Sequence, residues 1–530
     1  MESKAKKFEL RKYVIAIGTI PLGIVFLLGV IFPESFNDVM GNIVNKLCEN
    51  LGWLINLGTI FSIFFTLYFL VSKYGKIKLG GPNAKPEFSK FSWWAISLCA
   101  GMGMGIVMFP PAEVIEYSFR PAEGIFIEPG SYQASLWAGQ ITMTHWTIAL
   151  YGIYVAAGLI CAYCYYNLKQ PFSITSTLYP VMGKKAYKYS EIIDGIVVFA
   201  IVGGVAGSLG WGILQVSDGI NQIFGITIGK TTWIIVTSVI TVVYTLSSVS
   251  GLKKGIQWLG NKNAILFIAM LLFVAIFGPT KFSLEWGTRV AGGTIENLLG
   301  NIMFTSPFLP DDKWVQWWNW LWFIDYFIFA PTTGLFLARL SKGRTIREFV
   351  TVNMVAPCIF STIWCMFFGG IAAHVQWIEK IDLFKLIVEK GHESVMLKLF
   401  EQLPLPSITK PVMLIIILIS FITLANAVTS TIAKMCMPNS EVKNDEEDDD
   451  APAGIQIFWG IFMGAIALLF LLTGGLEGCK ILKLFVGFPI LFFQIFIMAG
   501  FLKMFIQKKN AEKFKEVEEI IYTNETLSEL

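Results

Sequence analysis

Trp146, Tyr151 and Tyr154 lie in the apolar run 142–154, spaced five and three residues apart, near one face of a helix. Ring faces attract cations, and an aromatic cage holds a quaternary ammonium group, which offers no hydrogen-bond donor. The same spacing also describes an ordinary packing stripe, so both readings stand at this level. His145, beside them, reads either as a structural histidine or as a proton relay. A second set lies in residues 314–349. Five tryptophans fall within nine residues, then an apolar helix carries one acid, Asp325. Pro331 is expected to interrupt that helix, and Arg339, Lys342, Arg344 and Arg347 close it. Tryptophans favour the membrane–water interface, and basic clusters mark the cytoplasmic end of a span. An acid within a span is costly and usually faces a bundle interior or cavity. A third set is Ala100-Gly-Met-Gly-Met-Gly105, followed by Phe109-Pro-Pro-Ala-Glu113. Glycines at every second position line no single helix face, unlike a packing stripe. They favour a broken helix, which is either a kink or a backbone lining for a midplane site.

The elements that must carry these groups are membrane spans. Of the 530 residues 55% are hydrophobic and 15% charged, against about 25% charge in ordinary soluble domains. Mean hydropathy is +0.62. No cleavable signal is expected, because residues 1–12 lead into an apolar stretch too long for a signal core and without a small-residue cleavage site. The net charge of +3 says nothing about nucleic acid, since the basic residues follow loop topology. Cys161 and Cys164 are spaced like a redox or metal pair but sit mid-span without histidine or acid neighbours, which reads as packing. No phosphate-cradling glycine loop argues for an ATP-driven pump. No paired acids, metal-ligand spacing or nucleophile–base set argues for an enzyme.

A span needs ~20 apolar residues. Twelve are predicted: 13–32, 51–71, 92–112, 137–166, 190–215, 232–250, 262–279, 314–340, 348–374, 411–436, 454–475 and 481–505. Residues 283–304 and 378–402 read as amphipathic helices lying at the membrane surface. Basic residues alternate between loops. They gather in 4–12, 73–90, 169–188, 253–254 and 339–347, while Lys46 stands alone in the first loop and Arg120 in the third. Both termini are therefore predicted to be cytoplasmic. The acidic run 444–450 reads as a solvated cytoplasmic loop.

Taken together, Gly101-Met-Gly-Met-Gly105, Thr144-His-Trp146 with Tyr154, residues 251–261 and the run 336–349 resemble one family, the betaine/choline/carnitine transporters. The resemblance extends over about residues 10–505 and implies an all-α polytopic fold of twelve helices. The implied domains are a cytoplasmic tail (1–12), two extra N-terminal helices (13–91), and a first inverted five-helix repeat (92–279, spans 3–7). An extracellular surface helix (280–313), a second repeat (314–505, spans 8–12) and a short cytoplasmic tail (506–530) follow. The fold is that of neurotransmitter/amino-acid symporters, and homotrimers in the cell membrane are implied.

In that family, side chains of the fourth and eighth spans box the trimethylammonium group. Trp146, Tyr151 and Tyr154 match the fourth-span positions, with tyrosine in place of a second tryptophan. Asp325, Tyr326 and Phe329 match the eighth, where a Trp-Trp pair and a further aromatic are usual. The broken third span, with Met102 and Gly103, would offer backbone to the substrate. Asp325 departs furthest from the pattern. It reads as a counter-ion for a bound cation, or as an acid turned to a polar neighbour or water. Sodium-driven members hold one ion between the third-span backbone, here Cys99 and Met102, and two adjacent tenth-span hydroxyls, here Thr423-Leu424. One ligand is lost, leaving a sodium site of reduced ligand count. The fifth-span threonines of a second sodium site become Ile201 and Val205. The runs 423–427 and 127–131 look nearer the sodium-independent carnitine/butyrobetaine exchangers. Those exchangers, however, place an arginine where Asn263 stands, with Lys262 one residue off.

The reading that follows is a secondary transporter for a small quaternary-ammonium or related amine, of the glycine betaine, carnitine or choline type, working by alternating access or by exchange. Alternatives are sodium- or proton-coupled uptake of a less methylated amine with Asp325 as counter-ion, and a non-transporting sensor on the same scaffold. No cofactor beyond sodium is expected.

Overall fold

The computed structural model describes residues 10–101, 104–250, 253–437 and 451–506, and within them the chain is almost wholly helical. Helices α1 (Lys12–Ile31) and α2 (Pro33–Val71) meet at Pro33, whose missing N–H costs nothing at a first helical position. Helices α3 (Lys90–Gly101) and α4 (Met104–Phe119) flank residues 102 and 103. A π-helical turn, His145–Ala149, joins α5 (Tyr132–Thr144) to α6 (Leu150–Tyr166). The short α7 (Tyr179–Met182) precedes the long α8 (Ser190–Phe224). Next come α9 (Lys230–Val249), α10 (Lys253–Phe277), α11 (Thr280–Glu296) and α12 (Leu298–Met303). A second π-helical turn, Gln316–Trp320, leads into α13 (Leu321–Arg339). The remainder is α14 (Ile346–Val350), α15 (Ala356–Trp377), α16 (Leu383–Lys390), α17 (Ser394–Leu399), α18 (Pro406–Met435) and α19 (Ala453–Ile506).

Among the described residues, nine helices are long and apolar enough to cross a membrane, or ten if Lys262–Phe277 and Thr280–Glu296, bent by 111°, form one span. The described parts of the twelve expected segments fall on helix except for a few residues at their ends, such as Phe32, Gly278 and Pro279. The counts differ for two physical reasons. Segments 454–475 and 481–505 are two helices that follow each other without a loop within α19, separated by a kink at Gly475, whose φ of 56° suits a residue without a Cβ. The third expected span is divided between α3 and α4, each too short to cross alone.

Three expectations are corrected. Pro331 does not interrupt α13, which runs through it while the Thr332 hydroxyl bonds the Phe329 carbonyl at 3.1 Å. Packed neighbours and nearby hydroxyls make proline tolerable in such helices. The tryptophans of 314–322 are not all surface rings: Trp317 and Trp320 are partly buried and the other three fully. Trp314, Trp318 and Trp322 are buried, and Trp314 and Trp318 meet the Tyr117 ring edge-on at 5.1 and 4.8 Å. Tyr117 of α4 and Trp137 of α5 offer them partners, so burial of large rings wins over the interface. Arg11, counted as a loop charge, is a buried ion-pair member at 2.7 Å from Asp194 of α8. It also donates to the Met435 carbonyl at the end of α18.

Close approach of helices sets the site. Helix α8 packs against α1, α18 and α19, and α13 packs against α6 and α19. A Cβ on Gly204 would fall 2.3 Å from Ile328 of α13, and one on Gly207 would fall 2.8 Å from the stem of Lys483 in α19. At the far end of α8 sits the short α16–α17 pair. The Glu393 carbonyl there accepts from Gln215, and the Ser394 carbonyl accepts from Gln222. Burial pushes the Glu393 carboxyl up to about 7, and the neighbouring Asp218 carboxylate adds to the effect. A raised carboxyl pKa means the folded state holds its proton longer than the unfolded state. Stability from this group therefore falls as pH rises between about 4.5 and about 7. Glu393→Gln is expected to flatten that part of the Tm-versus-pH curve and to raise Tm at pH above about 7, read by thermal unfolding in detergent.

Candidate functional site

Trp146 enters the bundle at the π-helical turn between α5 and α6. Such a turn inserts one residue into the helix and re-aims its side chains, and it recurs at functional sites. The ring is buried, and its Nε1–H donates to Glu113 Oε2 of α4 at 3.0 Å. Its far edge occupies space that only glycine leaves open, since a Cβ on Gly105 would lie 2.4 Å from Trp146. The ring stacks on Phe109 at 6.2 Å and meets Trp322 at 4.6 Å, while Trp211 of α8 contacts both Phe109 and Trp322 at 5.1 Å.

Tyr326 completes a corner. Its ring lies 6.1 Å from Trp146 at 66°, and 6.3 Å from Tyr154 at 80°. Both contacts are edge-to-face, so the three rings pack as a corner, and aromatic faces of this kind attract a cation. Asp325 immediately precedes Tyr326 in α13. Its carboxylate is paired: Lys483 Nζ of α19 lies 2.6 Å from Asp325 Oδ1. The same ammonium sits 3.7 Å above the Trp211 ring and 6.0 Å from Phe329. The site therefore combines a ring corner with a buried pair of opposite charges.

Of the expected residues, Trp146, Tyr154, Asp325 and Tyr326 come together. Phe329 lies beside the ion pair, its ring 6.0 Å from Lys483 Nζ. Tyr151 directs its hydroxyl to Ser361 of α15 at 3.1 Å. Met102 and Gly103 lie outside the described residues, as does the side chain of Cys99. The Thr423 hydroxyl donates to the Ile419 carbonyl of its own helix at 2.7 Å. His145 is buried with Nε2 at 2.8 Å from Asn319 Oδ1. Because Asn319 Nδ2 donates to the Asn301 carbonyl, its Oδ1 is left to accept from His145 Nε2–H. His145 Nδ1 stands 3.7 Å from Glu113 Oε2, the oxygen that also holds Trp146. This is a positioning network behind the ring.

Four residues of the site escaped the sequence reading as site members: Lys483, Glu113, Trp211 and Trp322. Lys483 falls at the edge of an expected span, where a lysine ordinarily snorkels to the interface. The signal that could have found it is Gly207 on the facing helix together with the lone acid Asp325, two spans that the linear sequence does not show as neighbours.

With this geometry in place, residues 13–510 match the family described as BCCT, betaine/carnitine/choline family transporter. The chain is 34% identical over 467 residues to a probable glycine betaine transporter of Desulfitobacterium hafniense (strain Y51), covering 87% of this chain and 90% of that one. It is 32% identical to the glycine betaine transporter OpuD of Bacillus subtilis (strain 168), covering 87% and 88%. It is 30% identical to the ectoine/hydroxyectoine transporter of Virgibacillus pantothenticus, covering 93% and 97%. The match over most of the chain makes it a transporter-family protein, and the chain belongs to the BCCT family. A solved structure of a Na+-coupled sialic acid symporter in a substrate-bound outward-open state aligns with a TM-score of 0.44 at 10% identity, covering 84% of this chain and 87% of that one. The relatives are named for betaine and ectoine. The leaning toward carnitine/butyrobetaine exchangers is corrected accordingly: it rested on two short runs, 127–131 and 423–427, against 467 aligned residues.

Proposed function

We propose that the chain is a secondary transporter of a betaine-type compatible solute, glycine betaine or ectoine, working by alternating access in the cell membrane. The observation that carries this is the corner of Trp146, Tyr154 and Tyr326 beside the Asp325–Lys483 pair. A quaternary ammonium, which has no N–H to donate, is held by ring faces where an ordinary ammonium would demand acceptors. Relatives named for glycine betaine and ectoine support the same solute class. Asp325 is not a free counter-ion, because Lys483 already meets it, which weighs against a simple cationic amine as the cargo. The proposed architecture is twelve helices with two inverted repeats over 92–279 and 314–505, both termini cytoplasmic, in a homotrimer. Uptake of radiolabelled glycine betaine, ectoine, carnitine and choline into proteoliposomes tests the cargo. Accumulation of none of them above protein-free vesicles would sink the proposal.

Coupling is expected to depend little on sodium. Leu424 stands beside Thr423 where a second hydroxyl is needed, and Ile201 and Val205 replace threonines in α8. Replacing sodium by potassium on both sides of the vesicle should leave uptake within about twofold, since a lost hydroxyl ligand is not recovered by an apolar side chain. Uptake abolished by that exchange would mean that backbone oxygens and Thr423 suffice for the ion.

A further inference from the structure

Lys483 has more hydrogen-bonding capacity than the fold uses. An ammonium carries three donors. Here it meets one carboxylate oxygen, Asp325 Oδ1, and the face of Trp211, and it has no hydrogen bond of good geometry among the described residues. Its side chain is fully buried, whereas that of Asp325 keeps 12% of its surface accessible. Asp325 thus keeps some accessible surface, while the ammonium it meets has none. The Lys483 stem packs against Gly207, where a Cβ would fall 2.8 Å from it, so the α8 backbone fixes the path of the stem to the ion pair.

Charge balance then restricts what can enter. The buried pair is neutral as it stands. A simple cation drawn to Asp325 would leave the Lys483 charge uncompensated, and a simple anion drawn to Lys483 would do the same to Asp325. Either outcome leaves an unpaired charge in a desolvated site. A zwitterion keeps the site neutral and turns one ion pair into two.

We infer that Asp325 and Lys483 form a zwitterion clamp: the pair opens on binding, the Lys483 ammonium takes the substrate carboxylate, and Asp325 with the ring corner takes the cationic end. The inference rests on the transport reading above and adds a carboxylate-recognising residue to it. It makes Lys483 a specificity determinant that separates glycine betaine from choline, which shares the trimethylammonium group and lacks the carboxylate.

The test measures equilibrium binding of glycine betaine, ectoine and choline to the purified full-length protein in nanodiscs. Wild type should bind glycine betaine about tenfold or more tightly than choline, as expected for a charge-assisted carboxylate contact. Lys483→Met should erase most of that preference. If this variant fails to fold, D325N/K483M, which carries no buried charge at the pair, should show the same loss of preference. Comparable betaine and choline affinities in wild type overturn the clamp without any variant. So does a wild-type preference retained in either folded variant. Wild type that binds neither betaine nor ectoine brings down the transport reading itself, a result distinguishable from failure of the clamp alone.

Discussion

Trp146→Leu is expected to weaken binding of a betaine-type solute about tenfold or more while the protein still inserts and folds, because a desolvated ring contributes about 1–2 kcal/mol to a bound cation. The loss would exceed that of one ring face. Trp146 also holds Glu113 through its Nε1–H and buttresses Tyr326 and Trp322. The geometry supplies an internal control. Gly105→Ala would place a methyl about where the Trp146 ring edge now lies, 2.4 Å away, and should displace the ring with a loss approaching that of Trp146→Leu. In a Trp146→Leu background the same methyl meets a smaller side chain, so the two losses should not add. Binding isotherms for the single and double variants decide the matter. Full additivity would place Gly105 and Trp146 in separate roles, and unchanged affinity in Trp146→Leu would remove the ring corner from the site.

Much of this arrangement is legible from residue types alone, and the illegible part has a consistent cause. Helical periodicity and apolar length point to helical spans, because a helix satisfies its own backbone where lipid offers no partners. The fourth-span aromatics were visible because they are close in sequence. For Tyr151 the 3.6-residue periodicity gives a face only approximately, because the π-helical turn at His145–Ala149 shifts the register just ahead of it. The tryptophans of 314–322 were taken for an interfacial belt because their partners, Tyr117 and Trp137, lie on helices far away in sequence. Lys483 was invisible for the same reason. Its meaning depends on α8 and α13 being its neighbours, and a single sequence does not report which helices touch. Gly207 left a mark, but one indistinguishable from any other glycine in a span.

Breaking the Asp325–Lys483 pair from one side should destabilise the protein strongly, while replacing both partners should not. Removing one member of a buried ion pair typically costs about 3–5 kcal/mol, because the survivor stays desolvated without a partner, whereas swapping both for uncharged side chains of similar size is often close to neutral. The two single variants should differ from each other. Asp325→Asn strands the Lys483 ammonium at a point with no surface exposure, with only an amide and the Trp211 ring to meet it. Lys483→Met strands a carboxylate that keeps 12% of its surface and can draw water. The order of thermal stability in detergent should therefore be wild type and D325N/K483M highest, Lys483→Met lower, and Asp325→Asn lowest. A double variant as unstable as Asp325→Asn would mean that the helix contacts around Gly207 and Trp211 require the ammonium itself. Two single variants as stable as wild type would mean that the pair is hydrated and that the bundle is open at this point to far more water than its packing allows.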